Sequence, residues 1–470
     1  MDWIVLTPPL LAIVLALRTR EVYLSILAGL WLGTTIVVGG NPLVGLRELL
    51  DQLVAVFSDT GNIRIVFFCF LVGGLMALMQ KSGGVEAFIS WAQGRGWGKT
   101  RRGAEVLAWL VGMVIFVESN ITALATGAIS RPLFDRLKIA REKLAFYCDV
   151  TSAPVCMMIP LNGWGAYILG LLAAQGVGQG AVSLLASALV FNFYAIVAIV
   201  GALVLAITGF GFGEMRRAEV RAVETGALIR PNASPMSPGE QEIVTKAPYS
   251  MGDFMIPLIT MIGVIFLGLY ITGDGNLMQG SGSTSVLWAV SVAVMVGGIR
   301  MLLPRPGGAK MSFTQMSETV VKGSSELFGV TLLVVFAIAL GQVSRALEIG
   351  PYVAQLVGED APMWLIPALV FAAGSGIGFA LGSSWTVFGI MIPVALPIAE
   401  ALGIHAPLML GAVLAGGVFG DHASPLSDTT IISSMSASCD HIDHVRTQLP
   451  YALVGFAVSL VFFLIAGLLV

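Results

Sequence analysis

Residues 406–437 form an apolar segment that contains, near its middle, the polar run Gly420-Asp421-His422-Ala423-Ser424-Pro425-Leu426-Ser427-Asp428-Thr429-Thr430. The segment is too long for one simple membrane helix, and Pro425 removes a helical hydrogen-bond donor. Asp421 and Asp428 lie seven positions apart, which is about two helical turns. Because Pro425 interrupts the helix between them, both carboxylates can turn towards one cavity. We therefore predict a broken membrane helix with an ion site at its break.

The composition of the whole chain agrees with a membrane location. The chain has 470 residues, of which 56% are hydrophobic and only 11% are charged, and its mean hydropathy is +0.89. Soluble globular chains carry about 25% charged residues, so an ordinary cytosolic enzyme and a disordered chain are excluded. The net charge of −3 offers no basic surface for a nucleic acid. We expect a multi-pass protein of a bacterial-type cytoplasmic membrane, with the lipid bilayer as a partner.

Apolar segments of roughly 20 residues, each long enough to span a bilayer, recur along the chain. Two further apolar stretches, 104–131 and 362–400, become polar at their centres and are predicted to be re-entrant helical hairpins. Residues 209–250 form the one long polar segment, which we interpret as a cytoplasmic linker between transmembrane repeats at 1–208 and 251–470. The predicted full crossings cover 3–17, 22–39, 63–80, 143–175, 180–208, 253–272, 284–300, 327–344, 406–437 and 448–470.

The basic residues indicate the orientation, since cytoplasmic loops collect Lys and Arg. With the N-terminus outside, all but three of the 25 basic residues fall on the cytoplasmic side. This asymmetry requires that 104–131 is a hairpin and not two crossings. The predicted cytoplasmic set includes Arg18, Arg20, Lys81, Arg95, Arg131–Lys143, the linker, Arg300, Arg305 and Arg446, whereas Arg47, Arg64 and Arg345 fall outside.

The two halves of the chain resemble each other. Ile139 precedes Pro160-Leu161 by 21 residues, and Ile404 precedes Pro425-Leu426 by 21 residues. Each half has five predicted crossings, an odd number, so the second half should insert upside down. Broken helices that meet at the midplane of an inverted repeat are the architecture of secondary transporters. We therefore predict an all-α polytopic membrane protein with two inverted repeats of five crossings, each with a re-entrant helical hairpin and a broken helix.

Four acidic side chains lie deep in apolar sequence, namely Glu118, Asp149, Asp421 and Asp428. A charge at the centre of a spanning helix costs about 2.5–3.5 kcal/mol, so such residues are functional candidates by default. Their alternative role is to cap a helix break or to hydrogen-bond a neighbouring span. A hard cation such as sodium prefers oxygen ligands of this kind, and a carboxylate that also takes a proton can act in an exchanger.

The hairpin tips and the first broken span supply further oxygen-rich candidates. A turn at membrane depth is tolerated only where it lines a cavity or is buried in protein, and prolines in a broken span free upstream carbonyls. The tip candidates are Ser119, Asn120 and Thr122 in the first hairpin and Ser383, Ser384 and Thr386 in the second. The broken-helix candidates are Thr151, Ser152, Pro154, Pro160, Asn162 and Pro425.

One histidine is the remaining candidate for proton chemistry. His422 lies between two candidate carboxylates and could relay protons near neutral pH, although a structural hydrogen bond to the broken helix is equally compatible. His441 and His444 lie with two aspartates at the predicted cytoplasmic start of the last span, in a spacing that also suits a metal. Acidic residues favour a helix N-terminus in any case. We expect no cofactor and no metal beyond sodium.

Two stretches of the chain resemble the motifs of a known family. The run Gly420–Thr430, followed by Asp443-His444-Val445 and Thr447-Gln448-Leu449-Pro450-Tyr451, resembles the signature of NhaC-type sodium/proton antiporters. In the first half, Lys143-Leu144-Ala145 through Asp149, then Ala153-Pro154, Pro160 and Trp164, resembles the first motif of that family. The resemblance implies exchange of sodium (or lithium) for protons. It implies ion-site roles for Asp149, Asp421, Ser427, Asp428 and Thr429.

The resemblance leaves the transported solute open, because relatives of this family also move organic acids and amino acids with sodium. A sodium-coupled carrier of a small organic solute is therefore the alternative function. No Lys or Arg lies deep in the predicted breaks, which favours an inorganic ion, although free helix N-termini can also hold a carboxylate. The sequence contains no GxSxG or HExxH motif, so we do not expect an enzyme. A homodimer is compatible with the sequence but is not indicated by it.

Overall fold

The computed structural model describes residues 3–19, 21–84, 87, 99–116, 118–177, 180–236, 250–303, 310–357 and 362–470. Within this part of the chain the regular elements are helices, and no strand is present. Four parts of the sequence predictions lie outside the described residues, namely Arg20, Arg95, Arg305 and residues 237–249 of the linker.

The first half of the described chain contains twelve α-helices, including one from the predicted linker. They are α1 (Thr7–Thr19), α2 (Val22–Val37), α3 (Pro42–Ala55), α4 (Thr60–Lys81), α5 (Arg101–Val114), α6 (Ser119–Arg136), α7 (Arg141–Val150), α8 (Ala153–Met158), α9 (Gly163–Ala174), α10 (Ala181–Val190), α11 (Phe193–Thr208) and α12 (Gly213–Thr225).

The second half continues with longer helices. They are α13 (Gly252–Thr272), α14 (Gly282–Leu302), α15 (Phe313–Glu326), α16 (Phe328–Ala346), α17 (Ile349–Val357), α18 (Ile366–Leu381), α19 (Ser384–Leu402), α20 (Ala406–Ala423), α21 (Asp428–Ala437) and α22 (His441–Leu469).

Many of these helices have the length and composition of membrane spans. Among the described residues, nine helices are long and apolar enough to cross a membrane, or up to eleven if each of two bent pairs is one span. The bent pairs join α2 to the segment Pro42–Ser58 at 114° and Arg141–Met158 to α9 at 42°. The predicted all-α, multi-pass membrane fold is therefore confirmed, while the inverted relation of the halves stays a prediction.

The predicted crossing at 180–208 is wrong as a single helix. The structure divides it into α10 and α11, with Phe191 and Asn192 between them. Asn192 ends the first helix and caps the second, since its side chain accepts a hydrogen bond from the main-chain N–H of Ala195. An amide at this position therefore competes with helix continuation, as Asn side chains do at helix N-termini.

Both predicted hairpins are pairs of helices joined by a short break. The first pair is α5 and α6, which are separated by residues 115–118, and the second is α18 and α19, which are separated by residues 382–383. Each arm of the second pair is itself long enough to cross a membrane. The predicted broken span at 406–437 is likewise two helices, α20 and α21, interrupted at residues 424–427.

The first arm of each hairpin runs parallel to the helix that precedes the break in its half. In the second half, α18 and α20 approach so closely that a Cβ atom on Gly420 would lie 2.4 Å from Gly378 Cα. In the first half, Glu105 of α5 meets Lys143 of α7, and Gly112 further along α5 packs against Thr151. Glycine permits such contacts because it has no Cβ, as in small-residue helix contacts within membranes.

The predicted linker folds back onto one end of the helix bundle. Arg221 of α12 pairs with Glu142 of α7 at 2.8 Å, and Arg230 pairs with Asp443 at the start of α22 at 3.1 Å. Arg131, at the end of α6, donates to Ser438 Oγ at 2.6 Å. The basic connector after the first hairpin, the linker and the start of the last helix thus share one end, and that this end is cytoplasmic stays a prediction of the positive-inside rule.

Candidate ion-binding site

Asp421 lies near the end of α20, beside the second break, and both oxygens of its carboxylate accept hydrogen bonds. Its Oδ2 accepts hydrogen bonds from the hydroxyl and the main-chain N–H of Ser384, at 2.5 and 3.3 Å. Its Oδ1 accepts a hydrogen bond from the Ser427 hydroxyl and another from Thr429 Oγ1, the latter at 3.2 Å. Only 2% of Asp421 is exposed. The break at Pro425 allows this arrangement because Ser427 and Thr429 can turn back towards the end of α20.

The tip of the second hairpin is seated directly on this break. Gly382 has a positive φ of 67° and packs so closely that a Cβ atom would lie 2.6 Å from the Leu426 carbonyl carbon. Ser383 then caps α19, since its side chain accepts from the main-chain N–H of Thr386 at 3.3 Å. Ser384 and Thr386 are buried. Two of the three predicted tip residues of this hairpin are therefore enclosed by protein, whereas Ser383 is partly exposed.

The tip of the first hairpin approaches the same break from the other half of the chain. Glu118 caps α6, and its Oε2 accepts from the main-chain N–H of Ile121 at 2.8 Å. Asp428 begins α21 and lies near Glu118 and beside the side chain of Asn120. Ser119 is buried and donates to Glu118 Oε1 at 3.2 Å. The structure therefore brings two predicted acidic residues together that are more than 300 positions apart.

Thr122 and the predicted residues of the first break serve mainly to stabilise the backbone. Thr122 donates to the main-chain oxygens of Glu118 and Ile115. Thr151 and Ser152 are buried and donate to carbonyls of their own helix, on Tyr147 and Asp149.

The other predicted residues of the first break define where its helices start. Pro154 lies in the first turn of α8, and Pro160 lies in the irregular stretch between α8 and α9. Asn162 caps α9, and its amide donates to the main-chain oxygens of Phe116 and Cys156, at 2.7 and 2.9 Å. Asn162 therefore ties the first hairpin tip to the first break.

A cavity of about 360 Å³ connects the two tips with the second break. Glu118, Asp421 and Asp428 line it, together with hydroxyl, amide and aromatic side chains. Its described lining contains no Lys, Arg or His. The cavity also reaches Val22, Met76 and Leu327, near the ends of α2, α4 and α16 that the charge asymmetry places at the cytoplasm.

Asp149 lies outside this cavity, in a separate buried position behind it. It is fully buried, and its Oδ2 accepts a hydrogen bond from Gln448 Nε2 at 2.7 Å. Its Oδ1 has no hydrogen-bond partner among the described residues. The side chains of Thr429 and Thr430 lie close to it. Thr429 also donates to Asp421, so the hydroxyl of Thr429 lies between Asp149 and the carboxylates of the cavity.

The two halves contribute to each other's breaks. The second arm of the first hairpin, α6, packs on α21, where a Cβ atom on Gly127 would lie 2.5 Å from Ser436 Oγ. The second arm of the second hairpin, α19, packs on α9, where the rings of Trp385 and Trp164 lie 5.5 Å apart and Tyr167 donates to Trp385 O at 2.9 Å. The second arm of each hairpin thus packs on the broken span of the other half, while the inverted relation of the halves stays a prediction.

His422 does not hydrogen-bond to any of the three aspartates through its ring. Its Nδ1 faces the Tyr194 hydroxyl at 2.7 Å, its Nε2 has no partner among the described residues, and its main-chain oxygen accepts from Gln448. The nearest imidazole to a candidate carboxylate is that of His444, whose Nε2 lies 3.8 Å from Asp149 Oδ2. A relay role for His422 stays a prediction.

Two contacts of the buried carboxylates were not singled out as site residues from the sequence. They are Gln448, which bonds both Asp149 and the His422 carbonyl, and His444, whose Nε2 faces Gln448 Oε1 at 2.9 Å. Gln448 could have been identified from the sequence as an amide near the start of an otherwise apolar span. Both residues also belong to the runs on which the family resemblance rests.

Comparison with known proteins identifies relatives among antiporters. A family model described as the Na+/H+ antiporter family matches residues 155–468. An uncharacterised protein of Haemophilus influenzae is 33% identical over 98% of this chain and 90% of its own length. The arginine/ornithine antiporter ArcD of Halobacterium salinarum is 28% identical over 47% of this chain and 42% of its own. The Na(+)/H(+) antiporter NhaC of Alkalihalophilus pseudofirmus is 32% identical over 25% of this chain and 29% of its own.

The fold is also similar to that of a solved transporter. The structure of MtrF from Neisseria gonorrhoeae, described as one of a class of antimetabolite efflux pumps, superposes with a TM-score of 0.52. The superposition covers 90% of this chain and 84% of the MtrF chain, and the two sequences are 14% identical. A likeness at this level of identity concerns the fold alone.

Proposed function

We propose that this chain, which belongs to the Na+/H+ antiporter family, exchanges sodium (or lithium) for protons across the cytoplasmic membrane. The observation that carries the proposal is the cavity lined by Glu118, Asp421 and Asp428, whose described lining contains no basic side chain. Buried carboxylates without a positive partner are costly. A bound cation or a bound proton removes that cost.

In this proposal sodium binds among the cavity carboxylates. Carboxylate and hydroxyl oxygens are the ligands that hard cations prefer, and the cavity presents both. Ser384 and Ser427 hold the Asp421 carboxylate in place, so the site is shaped before the ion arrives. Because Ser384 belongs to the hairpin, a displacement of the hairpin relative to α20 would also change the ion site. The halves of an inverted repeat are expected to move in this way.

Asp149 is proposed to take the proton. It lies beside the cavity and not in it, and one of its oxygens has no hydrogen-bond partner among the described residues. Its neighbour Thr429 also contacts Asp421, so a charge on either aspartate acts on the other through a short distance. A sodium ion in the cavity and a proton on Asp149 would therefore influence each other's binding.

The test is transport by the purified full-length chain in proteoliposomes, with sodium and proton gradients and no organic solute. Wild-type protein should move protons when sodium is added, and Asp421→Asn and Asp428→Asn should not, because Asn keeps the shape but lacks the charge. Asp274→Asn is the matched control, since Asp274 is exposed in a loop and its positive φ of 49° suits Asn. Full exchange by both cavity variants would contradict the proposal.

A second candidate function has one observation in its favour. At about 360 Å³ the cavity is within the range of about 300–1,000 Å³ that small-molecule sites occupy, and Trp164 and Trp385 form part of its wall. Carboxylates with aromatic faces suit an organic cation, and one relative is named an arginine/ornithine antiporter. Exchange of a small organic solute would be indicated if sodium-driven proton movement required added solute.

A further inference from the structure

We propose that His441, Ser434 and His444 form a proton relay that connects the predicted cytoplasmic surface with Asp149. This inference rests on the proposed proton coupling and assigns its route. The three residues belong to α21 and the first turn of α22, behind the cavity that is proposed to hold sodium. They would give protons a path separate from the path of the larger ion.

The relay consists of two contacts at hydrogen-bond distance and one longer separation. Ser434 Oγ lies 3.1 Å from His441 Nδ1 and 2.9 Å from His444 Nδ1. His444 Nε2 then lies 3.8 Å from Asp149 Oδ2. His444 and Asp149 are fully buried, whereas His441 is partly exposed. The series therefore leads from a residue that water reaches to a carboxylate that water does not reach.

The outer contacts decide which ring nitrogens carry hydrogen. His441 Nε2 faces the carbonyl oxygen of Pro425 at 2.8 Å, and a carbonyl oxygen can only accept. Gln448 must direct its NH₂ group to Asp149 and to the His422 carbonyl, so its Oε1 faces His444 Nε2 and also can only accept. Both imidazoles therefore carry hydrogen on Nε2, and both Nδ1 atoms are bare when the rings are neutral.

Ser434 consequently has fewer hydrogens to donate than there are acceptors around its hydroxyl. Its one hydroxyl hydrogen faces three acceptors, namely His441 Nδ1, His444 Nδ1 and the Thr430 carbonyl oxygen at 2.8 Å. One added proton improves the arrangement, because one ring then donates from Nδ1 to Ser434 Oγ and the hydroxyl hydrogen is available to the other ring. The geometry therefore suits two imidazoles that share one extra proton through a hydroxyl.

In the proposed relay a proton moves from His441 to Asp149 in three transfers. His441 takes a proton from water and becomes an imidazolium, and its Nδ1–H passes to Ser434 Oγ while the hydrogen of Ser434 passes to His444 Nδ1. His444 then carries hydrogen on both nitrogens and releases the Nε2 proton to Asp149 Oδ2, which requires that this hydrogen leave Gln448 Oε1 and that the 3.8 Å separation shorten. The net change is one proton moved from His441 to Asp149, and both rings are left neutral, but His444 now carries its hydrogen on Nδ1 instead of Nε2 until the reverse transfer restores it. The reverse steps return the proton to the surface.

The surroundings of the relay contain charged groups from several elements. They are Asp149 from α7, His422 from α20, Asp440 and Asp443 on α22, and Arg230 from the linker, which pairs with Asp443. The helix α21 faces the relay with the hydroxyl of Ser434 and the carbonyl of Thr430. The acidic residues lie at the outer end, where Asp440 caps α22.

The test uses the full-length protein in proteoliposomes and compares two rates. One is sodium-driven proton movement, followed with an internal pH indicator, and the other is exchange of radioactive for unlabelled sodium at equal pH, which needs no proton. Since a positioned proton-transfer group contributes about 10²–10⁴-fold, Ser434→Ala should slow proton movement at least about tenfold and change sodium–sodium exchange less than about twofold. Ser434→Thr keeps the hydroxyl and should retain proton movement.

Ser433→Ala is the matched control, because Ser433 is a buried neighbour on α21 whose hydroxyl has no hydrogen-bond partner among the described residues. If Ser434→Ala fails to fold, His441→Ala keeps the proposal testable, since added imidazole should restore its proton movement. Failure of imidazole to do so, or equal loss of both rates in Ser434→Ala, would overturn the relay. Full proton movement in Ser434→Ala would overturn the relay alone, whereas a wild type that moves sodium without protons would overturn the proposed function.

Discussion

Asp421 on the broken helix α20 accepts two hydrogen bonds from Ser384, the first residue of the hairpin helix α19, at 2.5 and 3.3 Å. One comes from the hydroxyl and one from the main-chain N–H. The proposed sodium site and the second hairpin are therefore joined by a direct contact to the carboxylate itself. A change in the position of the hairpin must therefore alter the hydrogen bonds of Asp421.

Removing the hydroxyl in Ser384→Ala should lower the stability of the protein. A hydrogen bond to a charged group contributes about 1.5–3 kcal/mol, and we expect a loss of that size in thermal unfolding of the detergent-solubilised protein. Ser325→Ala is the control, because Ser325 is exposed and bonds only to a carbonyl in its own helix. Equal effects of the two substitutions would contradict the importance of the Asp421 contact.

Gly420→Ala should separate α18 from α20. The added Cβ atom would lie 2.4 Å from Gly378 Cα, and backbone cannot give way as a flexible side chain can. Overpacking of this kind costs about 1–3 kcal/mol, and the adjacent Asp421 should bind sodium more weakly. Gly376→Ala on α18 is the matched control, because nothing lies within 4 Å of its added Cβ. Sodium-dependent thermal stabilisation measures both effects.

Lys143→Met should be strongly destabilising, because Lys143 pairs with Glu105 at 2.8 Å and both side chains are almost fully buried. Loss of one partner leaves a buried charge, which costs about 3–5 kcal/mol. Arg47→Met breaks an exposed pair with Asp51 and should have little effect, since surface pairs contribute about 0–1 kcal/mol. Thermal unfolding midpoints of the two variants should differ clearly, and similar midpoints would argue against a structural role for Lys143.

Labelling of introduced cysteines tests the inverted relation of the halves. Arg136 and Ala401 are exposed at the ends of the corresponding hairpin helices α6 and α19, and cysteines at these positions should react with an impermeant reagent from opposite sides of the membrane. The four described native cysteines are buried, so the background should be low. Labelling of both positions from the same side would refute the inverted repeat.

The pH dependence of sodium binding tests the competition between ion and proton. Protons neutralise the carboxylates that bind sodium, so the apparent affinity for sodium should weaken as pH falls. The expected slope is up to about tenfold per pH unit if one proton competes with one ion. The measurement is the rate of proton movement at increasing sodium concentrations, repeated at several pH values between about 6 and 9. This range includes neutral pH, near which an ordinary histidine changes its charge. A flat affinity across that range would be incompatible with the proposed exchange.

The sequence predicted most of the membrane architecture because its signals are local. Proline and carboxylates within apolar runs marked the break at Pro425, and the family resemblance drawn from these runs is confirmed by the matches to antiporter relatives. The division of 180–208 was missed because Asn192 is the only polar residue between two apolar stretches. Periodicity does not distinguish a capping amide from a buried one.

The contacts between distant parts of the site could not be predicted in the same way. Gln448 and Asp149 are separated by 299 positions, and their hydrogen bond depends on how α22 packs against α7. The same holds for Ser434, whose hydroxyl lies between two histidines only because α21 and the first turn of α22 fold back on each other. Pattern analysis identifies which residues are polar in an apolar setting, but the packing decides which of them meet.

The contact between the first hairpin and α21 also sets an order for the biosynthesis of this protein. Ser119–Arg136 leaves the ribosome early, whereas its partner Asp428–Ala437 is the last helix but one of the described chain. Glu118 therefore enters the membrane long before the helix that will cover it exists. The nascent chain must carry an unfinished hairpin until α21 has been made, and a message truncated upstream of α21 would produce an inserted protein with no assembled site.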